Sequence, residues 1–168
     1  MTNDAPTVYG PVDSWRLGRS LGVDLLCVDS TCSFRCYYCQ LGRINVHTSE
    51  RAVFVPTRKV MDDLSRADWG AADYVTLSGS GEPTLAANIG EVIREVRRVT
   101  GKPVAVLTNA AHLESPHVRR DLLEADSVFC KLDAADEETF GRINRPVGGL
   151  TLRGVVGGIK QLRAEYAG

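Results

Sequence analysis

The chain has 168 residues, 43% hydrophobic and 24% charged, with a net charge of −1. That profile fits one soluble globular domain with a sizeable core, and its neutral balance neither points to nor excludes a nucleic-acid partner. No run reaches the ~18 apolar residues of a membrane span, and the N-terminus lacks the basic and apolar regions of a signal peptide, so a cytoplasmic, non-membrane protein is the expectation.

In chain order, residues 1–20 read as a polar N-terminal extension rich in turn formers, leading into a first apolar strand over 21–28. Directly after it come Cys32, Cys36 and Cys39, spaced C-x3-C-x2-C. Residues 44–55 alternate loosely and suggest a short hairpin or lid. Pro56-Thr57 opens a helix with Val60, Met61 and Leu64 on one face. A strand follows at 74–77, ending in Ser78-Gly79-Ser80-Gly81-Glu82-Pro83.

Asn88 and Glu91 form a capping-box pattern ahead of a helix carrying Ile89, Val92, Ile93 and Val96, which Gly101 stops. A third strand at 104–107 ends in Thr108-Asn109-Ala110, and Ser115-Pro116 opens a helix with Val118, Leu122 and Ala125 inward. A fourth strand at 127–132 leads to Asp133. Thr151 then begins a helix with Leu152, Val155, Val156, Ile159 and Leu162 on one side, weakened by Gly154, Gly157 and Gly158 at up to ~1 kcal/mol each.

The strands are continuous apolar runs, the pattern of a parallel sheet buried on both faces. Alternation of strand and helix predicts an α/β architecture with right-handed crossovers. In such sheets ligands sit at the carboxyl ends of the strands. The cysteine loop, residues 78–83, residues 108–110 and the Asp133 end should therefore line one rim.

Five cysteines in a cytosolic chain argue against a disulfide framework. Three clustered thiols suit zinc or an iron–sulfur cluster. Structural zinc takes four ligands, often as two separated pairs, and no second C-x2-C or H-x3-H is present. Three thiolates on a [4Fe–4S] cluster would leave one iron open, whereas electron-transfer ferredoxins supply four. Cys27 and Cys130 read as small core residues, His47, His112 and His117 as surface polar groups. Arg16, Arg19, Arg35 and Arg43 read as a solvated face or part of a substrate site.

Cys32-x3-Cys36-x2-Cys39, with Tyr38 before the last cysteine and Gly79-Ser80-Gly81-Glu82 after the second strand, resembles the signature of the radical S-adenosylmethionine (radical SAM) superfamily. Residues 16–24, Gln40-Leu41-Gly42-Arg43 and Ile143-Asn144-Arg145-Pro146 resemble the branch related to wyosine-base tRNA-modifying enzymes.

The resemblance implies that Cys32, Cys36 and Cys39 ligate three irons of a [4Fe–4S] cluster and that S-adenosylmethionine chelates the fourth. Tyr38 would lie near the adenine, the Gly79–Glu82 backbone near the methionine amino group, and Asn109, Lys131 or Asp133 near ribose or carboxylate. The implied chemistry is reductive cleavage to methionine and a 5′-deoxyadenosyl radical, which abstracts hydrogen from a substrate. A flavodoxin- or ferredoxin-like donor would supply the electron, and tRNA is the family-level substrate suggestion.

The fold so implied is a partial (β/α)6 barrel, of which residues 1–168 supply about four βα units as one radical SAM core domain. An unpaired fourth strand would favour self-association or a complementing chain. Two other readings stand beside a radical SAM enzyme: a truncated or non-catalytic radical SAM-like protein, and a simple iron–sulfur or zinc module.

Overall fold

The computed structural model describes residues 5–27 and 29–166. Val28, the last residue of the expected first strand, and the ends 1–4 and 167–168 lie outside the described residues. Five strands form the main sheet. β1 (Val8–Ser14) runs antiparallel to β2 (Gly18–Val23) at one edge. A two-residue strand β3 (Thr31–Cys32) pairs in parallel with β4 (Val46–His47) in a small second sheet. The main sheet continues with β5 (Tyr74–Leu77), β6 (Val104–Thr108) and β7 (Ser127–Cys130), in the order β1-β2-β5-β6-β7. From β2 onward every pairing is parallel.

The helices are α1 (Thr57–Leu64), α2 (Ile89–Thr100), α3 (Pro116–Leu122), α4 (Glu137–Ile143) and α5 (Leu152–Glu165). Each parallel strand is followed by one or two of them, so the chain forms the βα units of a partial TIM-like barrel. Ile89, Val92, Ile93 and Val96 of α2 are fully buried on Val75, Leu77, Val104 and Val106 in one core. Burial is worth about 1.5–3 kcal/mol for each such side chain, which holds α2 more firmly than its own propensity. Gly101 closes it in the left-handed conformation at φ 63°. None of the helices is long and apolar enough to cross a membrane among the described residues.

Several expectations change. The region 1–20 contains β1, whose half-exposed pattern and Gly10-Pro11 concealed a strand that pairs with the next segment. β2 ends at Val23, where the Asp24 carboxylate accepts the Leu26 N–H at 2.8 Å and turns the chain. Residues 44–55 form no hairpin. Asn45 and Val46 donate to Ser30 O, Thr48 to Cys32 O, and Ala52 to Leu85 O, so two separate elements take up this backbone.

The capping box is also absent, because the Asn88 amide donates to Val55 O at 3.0 Å and Thr57 Oγ1 at 3.1 Å instead. α4 was not foreseen; Asp136 caps it by accepting the Thr139 N–H. β7 is half-buried along its length rather than enclosed on both faces, and among the described residues it pairs only with β6.

Two glycines of α5 are packing positions. A Cβ at Gly158 would lie 2.6 Å from Leu113 Cβ and 2.7 Å from its carbonyl carbon, while one at Gly154 would overlap the Glu114 carboxylate. These glycines cost helix propensity but let α5 settle on the turn after β6. At Gly157 a Cβ would meet nothing within 4 Å.

Candidate functional site

The cysteine loop leaves β3 and is held from two directions. Toward β5, Thr31 N donates to Ser80 O at 2.9 Å and Glu82 N to Thr31 O at 3.0 Å. Toward the end of α4, Arg35 N donates to Asn144 O at 3.0 Å and Tyr37 N to Ile143 O at 2.8 Å. Phe34 is buried and stacks edge-on against Phe140 of α4, with centroids 5.4 Å apart. A turn in which Cys39 N donates to Cys36 O at 3.1 Å then presents the last thiol.

All three thiols line one cavity of about 640 Å³, whose other walls are the carboxyl ends of β5, β6 and β7. Tyr38, Gly79, Gly81, Glu82, Asn109 and Lys131 also line it. Ser80 and Asp133 are not among the lining residues. Among the described residues no three His, Cys, Asp or Glu side chains are grouped to hold a single metal ion. The four strand-end segments converge as the parallel topology requires.

The glycines at 79 and 81 have physical reasons. Gly79 sits at φ 138°, and a Cβ there would overlap the Asp24 carboxylate; at Gly81 it would overlap the Thr31 carbonyl. Only a bare backbone lets the β5 end lie against β3. Asp24, buried, secures the arrangement by accepting the Ser80 N–H at 2.8 Å and the Ser80 hydroxyl. Ser80 is thus part of the support.

Glu82 is 2% exposed. Its Oε1 accepts from Thr84 N at 3.1 Å, Thr84 Oγ1 at 2.6 Å and Thr108 Oγ1 at 2.7 Å, and its Oε2 from Asn109 N at 2.6 Å. Burial pushes its pKa up, against the pull of these four donors. The carboxylate ties the end of β5 to the end of β6. Asn109, so anchored, donates from Nδ2 to Ser33 Oγ at 3.1 Å and Cys32 Sγ at 3.5 Å. Cys32 also accepts the Phe34 N–H at 3.4 Å. Burial, followed by the Glu82 charge, pushes the Cys32 thiol up to about 12.

Around Cys36 stands a polar group from three elements. Lys131 Nζ donates to Cys36 Sγ at 3.2 Å and Tyr38 Oη at 2.8 Å, and lies 4.8 Å from the centre of the Tyr38 ring. Tyr38 Oη donates to Asp133, and Asn144 Nδ2 reaches Asp133 Oδ2 at 2.9 Å and Cys36 Sγ at 3.5 Å. Burial alone would lower the Lys131 pKa, but Tyr38, Cys36 and Asp133 together raise it. Asp133 is lowered because Tyr38, Asn144 and Lys131 outweigh its partial burial.

Residues 28–166 match the Radical SAM superfamily. The chain belongs to that superfamily. It is similar to a UPF0026 protein of Synechocystis, 46% identical over all of this chain and 63% of the relative. A UPF0026 protein of Methanocaldococcus jannaschii is 35% identical over 95% of this chain and 50% of its own length. A GTP 3′,8-cyclase of Marinobacter nauticus is 29% identical over 77% of this chain and 38% of the cyclase. The chain therefore spans less than two thirds of the length of these relatives.

Membership of the radical SAM superfamily implies a [4Fe–4S] cluster and S-adenosylmethionine, and the residues fit both. Three thiols face one cavity, Cys32 and Cys36 each already meet two N–H donors, and the glycines at 79 and 81 leave backbone bare at its edge. Hydrogen bonds to ligating sulfur are a recognised part of such sites.

Some residues at or behind this cavity were not singled out from sequence. Asp24 and Asn144 carry no chemical motif of their own; their work is to hold other groups, and only their places in the segments 16–24 and 143–146 hinted at it. Cys130, expected in the core, is half-buried and lines the cavity; burial pushes its thiol up to about 11. Arg16 also lines it, its guanidinium 4.8 Å from the Trp15 ring centre and 5.7 Å from that of Phe129.

Cys27 is half-buried and packs against the core rather than lying fully inside it, its thiol 3.3 Å from Asp24 O. His117 is exposed as expected, but His112 is half-buried. Burial, with nearby Arg51 adding to it, pushes the His112 pKa down to about 4.

Proposed function

We propose that this chain is the cluster-bearing part of a radical SAM enzyme, with Cys32, Cys36 and Cys39 holding a [4Fe–4S] cluster. S-adenosylmethionine would occupy the same cavity, against Tyr38, Gly79–Glu82, Asn109 and Lys131. When bound, the pair supplies one-electron reductive cleavage to methionine and a 5′-deoxyadenosyl radical for hydrogen abstraction. The observation that carries this reading is the meeting of all three thiols with the ends of β5, β6 and β7 in one cavity.

The chain's own residues have definable tasks. Gly79 and Gly81 leave backbone at the cavity edge without side-chain bulk. Glu82 sets Asn109, and Asp133 sets Tyr38 and Asn144, so the groups facing the cavity are held before anything binds. Such holding of a cofactor, with exclusion of water, is the protein's share of the work in cofactor enzymes.

The reductant in this reading is a flavodoxin- or ferredoxin-like one-electron donor, and the location is cytoplasmic. The substrate, with tRNA as the suggestion from the wyosine-related branch, is an inference from sequence pattern. Residues 1–168 are read as one core domain, whose edge strand β7 favours self-association or a complementing segment.

The test is anaerobic reconstitution with iron and sulfide, followed by reductant and S-adenosylmethionine. About four irons per chain and production of 5′-deoxyadenosine are expected. A protein that loads the cluster but neither binds nor cleaves S-adenosylmethionine would refute the reading. So would zinc bound with no iron–sulfur absorbance.

A further inference from the structure

Two nitrogen donors from distant parts of the chain converge on one of the three sulfurs. Lys131 Nζ stands 3.2 Å from Cys36 Sγ and Asn144 Nδ2 stands 3.5 Å from it. Lys131 follows β7, and Asn144 lies at the end of α4. Both are tied to the same carboxylate, Asp133, at 3.2 Å and 2.9 Å. A carboxylate only accepts, so it fixes which face of the Asn144 amide turns inward: the NH2 side, toward Asp133 and Cys36. Asn144 is 2% exposed, and its Oδ1 has no partner among the described residues. A buried amide oxygen left unpaired costs stability, so the orientation is set by what Nδ2 must reach.

Lys131 brings a charged donor to the same sulfur, also held by Tyr38. Cys32 has its own pair, the Phe34 N–H and the Asn109 amide. That pair comes from the loop and β6; the Cys36 pair comes from the far side of the cavity and shares one acidic anchor.

We infer that Lys131 and Asn144, set by Asp133, are positioning residues that hydrogen-bond the Cys36 thiolate and raise the reduction potential of the cluster on Cys32, Cys36 and Cys39. This rests on the cluster reading of the proposed function. The physical reason is charge. Each electron added to the cluster increases negative charge on its sulfurs, and an N–H or ammonium donor stabilises the reduced form more than the oxidised one. Removing a donor shifts the one-electron equilibrium toward the oxidised form.

The experiment is a dithionite titration of the reconstituted full chain, followed by electron paramagnetic resonance, without S-adenosylmethionine. The wild type is loaded first. If it takes no cluster, the proposed function itself fails, and this inference falls with it. If it loads, Lys131→Met and Asn144→Leu are each expected to lower the midpoint by about tenfold in the one-electron equilibrium, that is about 59 mV. Leu132→Ala, an exposed neighbour with no contact to sulfur, is expected to leave the midpoint in place.

A midpoint unchanged or raised in both donor variants, at full iron content, overturns the inference while leaving the cluster reading intact. Equal shifts in Leu132→Ala also overturn it, because the effect would then be general loosening. Should a donor variant fail to load, Lys131→Arg and Asn144→Gln, which keep an N–H donor, must restore loading. Failure of both to do so overturns the inference as well.

Discussion

Gly157 and Gly158 are neighbours in α5, and alanine at the two positions is expected to act in opposite directions. At Gly157 a Cβ meets nothing within 4 Å, so alanine brings only its better helix propensity, about 0.5–1 kcal/mol of stabilisation. At Gly158 it would stand 2.6 Å from Leu113 Cβ, 2.7 Å from the Leu113 carbonyl carbon and 2.8 Å from Glu114 N. Carbon contacts are comfortable only from about 3.5 Å, so α5 would have to withdraw by nearly 1 Å.

The turn cannot yield easily. Arg119 Nη1 donates to Leu113 O at 2.8 Å and Glu114 O at 3.0 Å, and Arg119 is paired with Glu165 of α5 itself. Overpacking of this kind costs about 1–3 kcal/mol, which outweighs the propensity gain. The two variants should differ by roughly 2 kcal/mol. For a domain of this size that separates their melting temperatures by about 4–8 °C, at about 2–4 °C per kcal/mol. Far-UV circular dichroism melts, repeated with urea, measure the difference. If Gly158→Ala melts at or above Gly157→Ala, the close approach of α5 to the 113–114 turn is not real.

Two further outcomes are expected. Glu82→Ala leaves the fixed N–H groups of Thr84 and Asn109 buried without an acceptor, at about 1–3 kcal/mol each. Stability to urea should therefore fall by about 3 kcal/mol or more; a loss under about 0.5 kcal/mol would show that Glu82 does not join the two strand ends. His112 carries a pH signature: its folded pKa, lowered to about 4 by burial and by Arg51, lies below the unfolded value of about 6.5. The unfolded state then binds the proton more readily between these values. The stabilisation is complete above pH ~6.5 and lost as pH falls toward ~4, on the order of 3 kcal/mol at most. His112→Leu should flatten that slope in unfolding free energy, and an unchanged slope would place its origin elsewhere. Arg51, itself paired with Asp121 at 2.8 Å, is the charged group facing it.

The elements that sequence reveals here are those whose signal is local. α2 shows because Ile89, Val92, Ile93 and Val96 repeat at helical spacing and all four become core. β5 and β6 show because Val75, Leu77, Val104 and Val106 are continuous apolar runs. β1 does not, because Gly10 and Pro11 interrupt it and most of its side chains stay half or fully exposed. Its existence depends on β2 lying alongside. α4 spans seven residues with only Phe140 buried, too little for a periodic signal. Residues 44–55 misled because their alternation is real but their hydrogen-bond partners, at 30–32 and 85–87, are remote in sequence.

The site divides in the same way. The cysteine spacing and the glycines at 79 and 81 are visible in the chain itself, because thiol chemistry and bare backbone restrict which residues can serve. The supports are not visible, since an aspartate such as Asp24 looks the same whether it faces solvent or anchors Ser80. Glu82 is the instructive case. From sequence it belongs to a glycine–glutamate motif beside a cofactor site, and it does line the cavity. Yet Oε1 already accepts three donors and Oε2 one, all from residues 84, 108 and 109. Its carboxylate joins β5 to β6 and sets Asn109. The motif reads here as a construction device: Gly81 admits the strand that leads into the cysteines, and the glutamate ties the end of β6 to the end of β5.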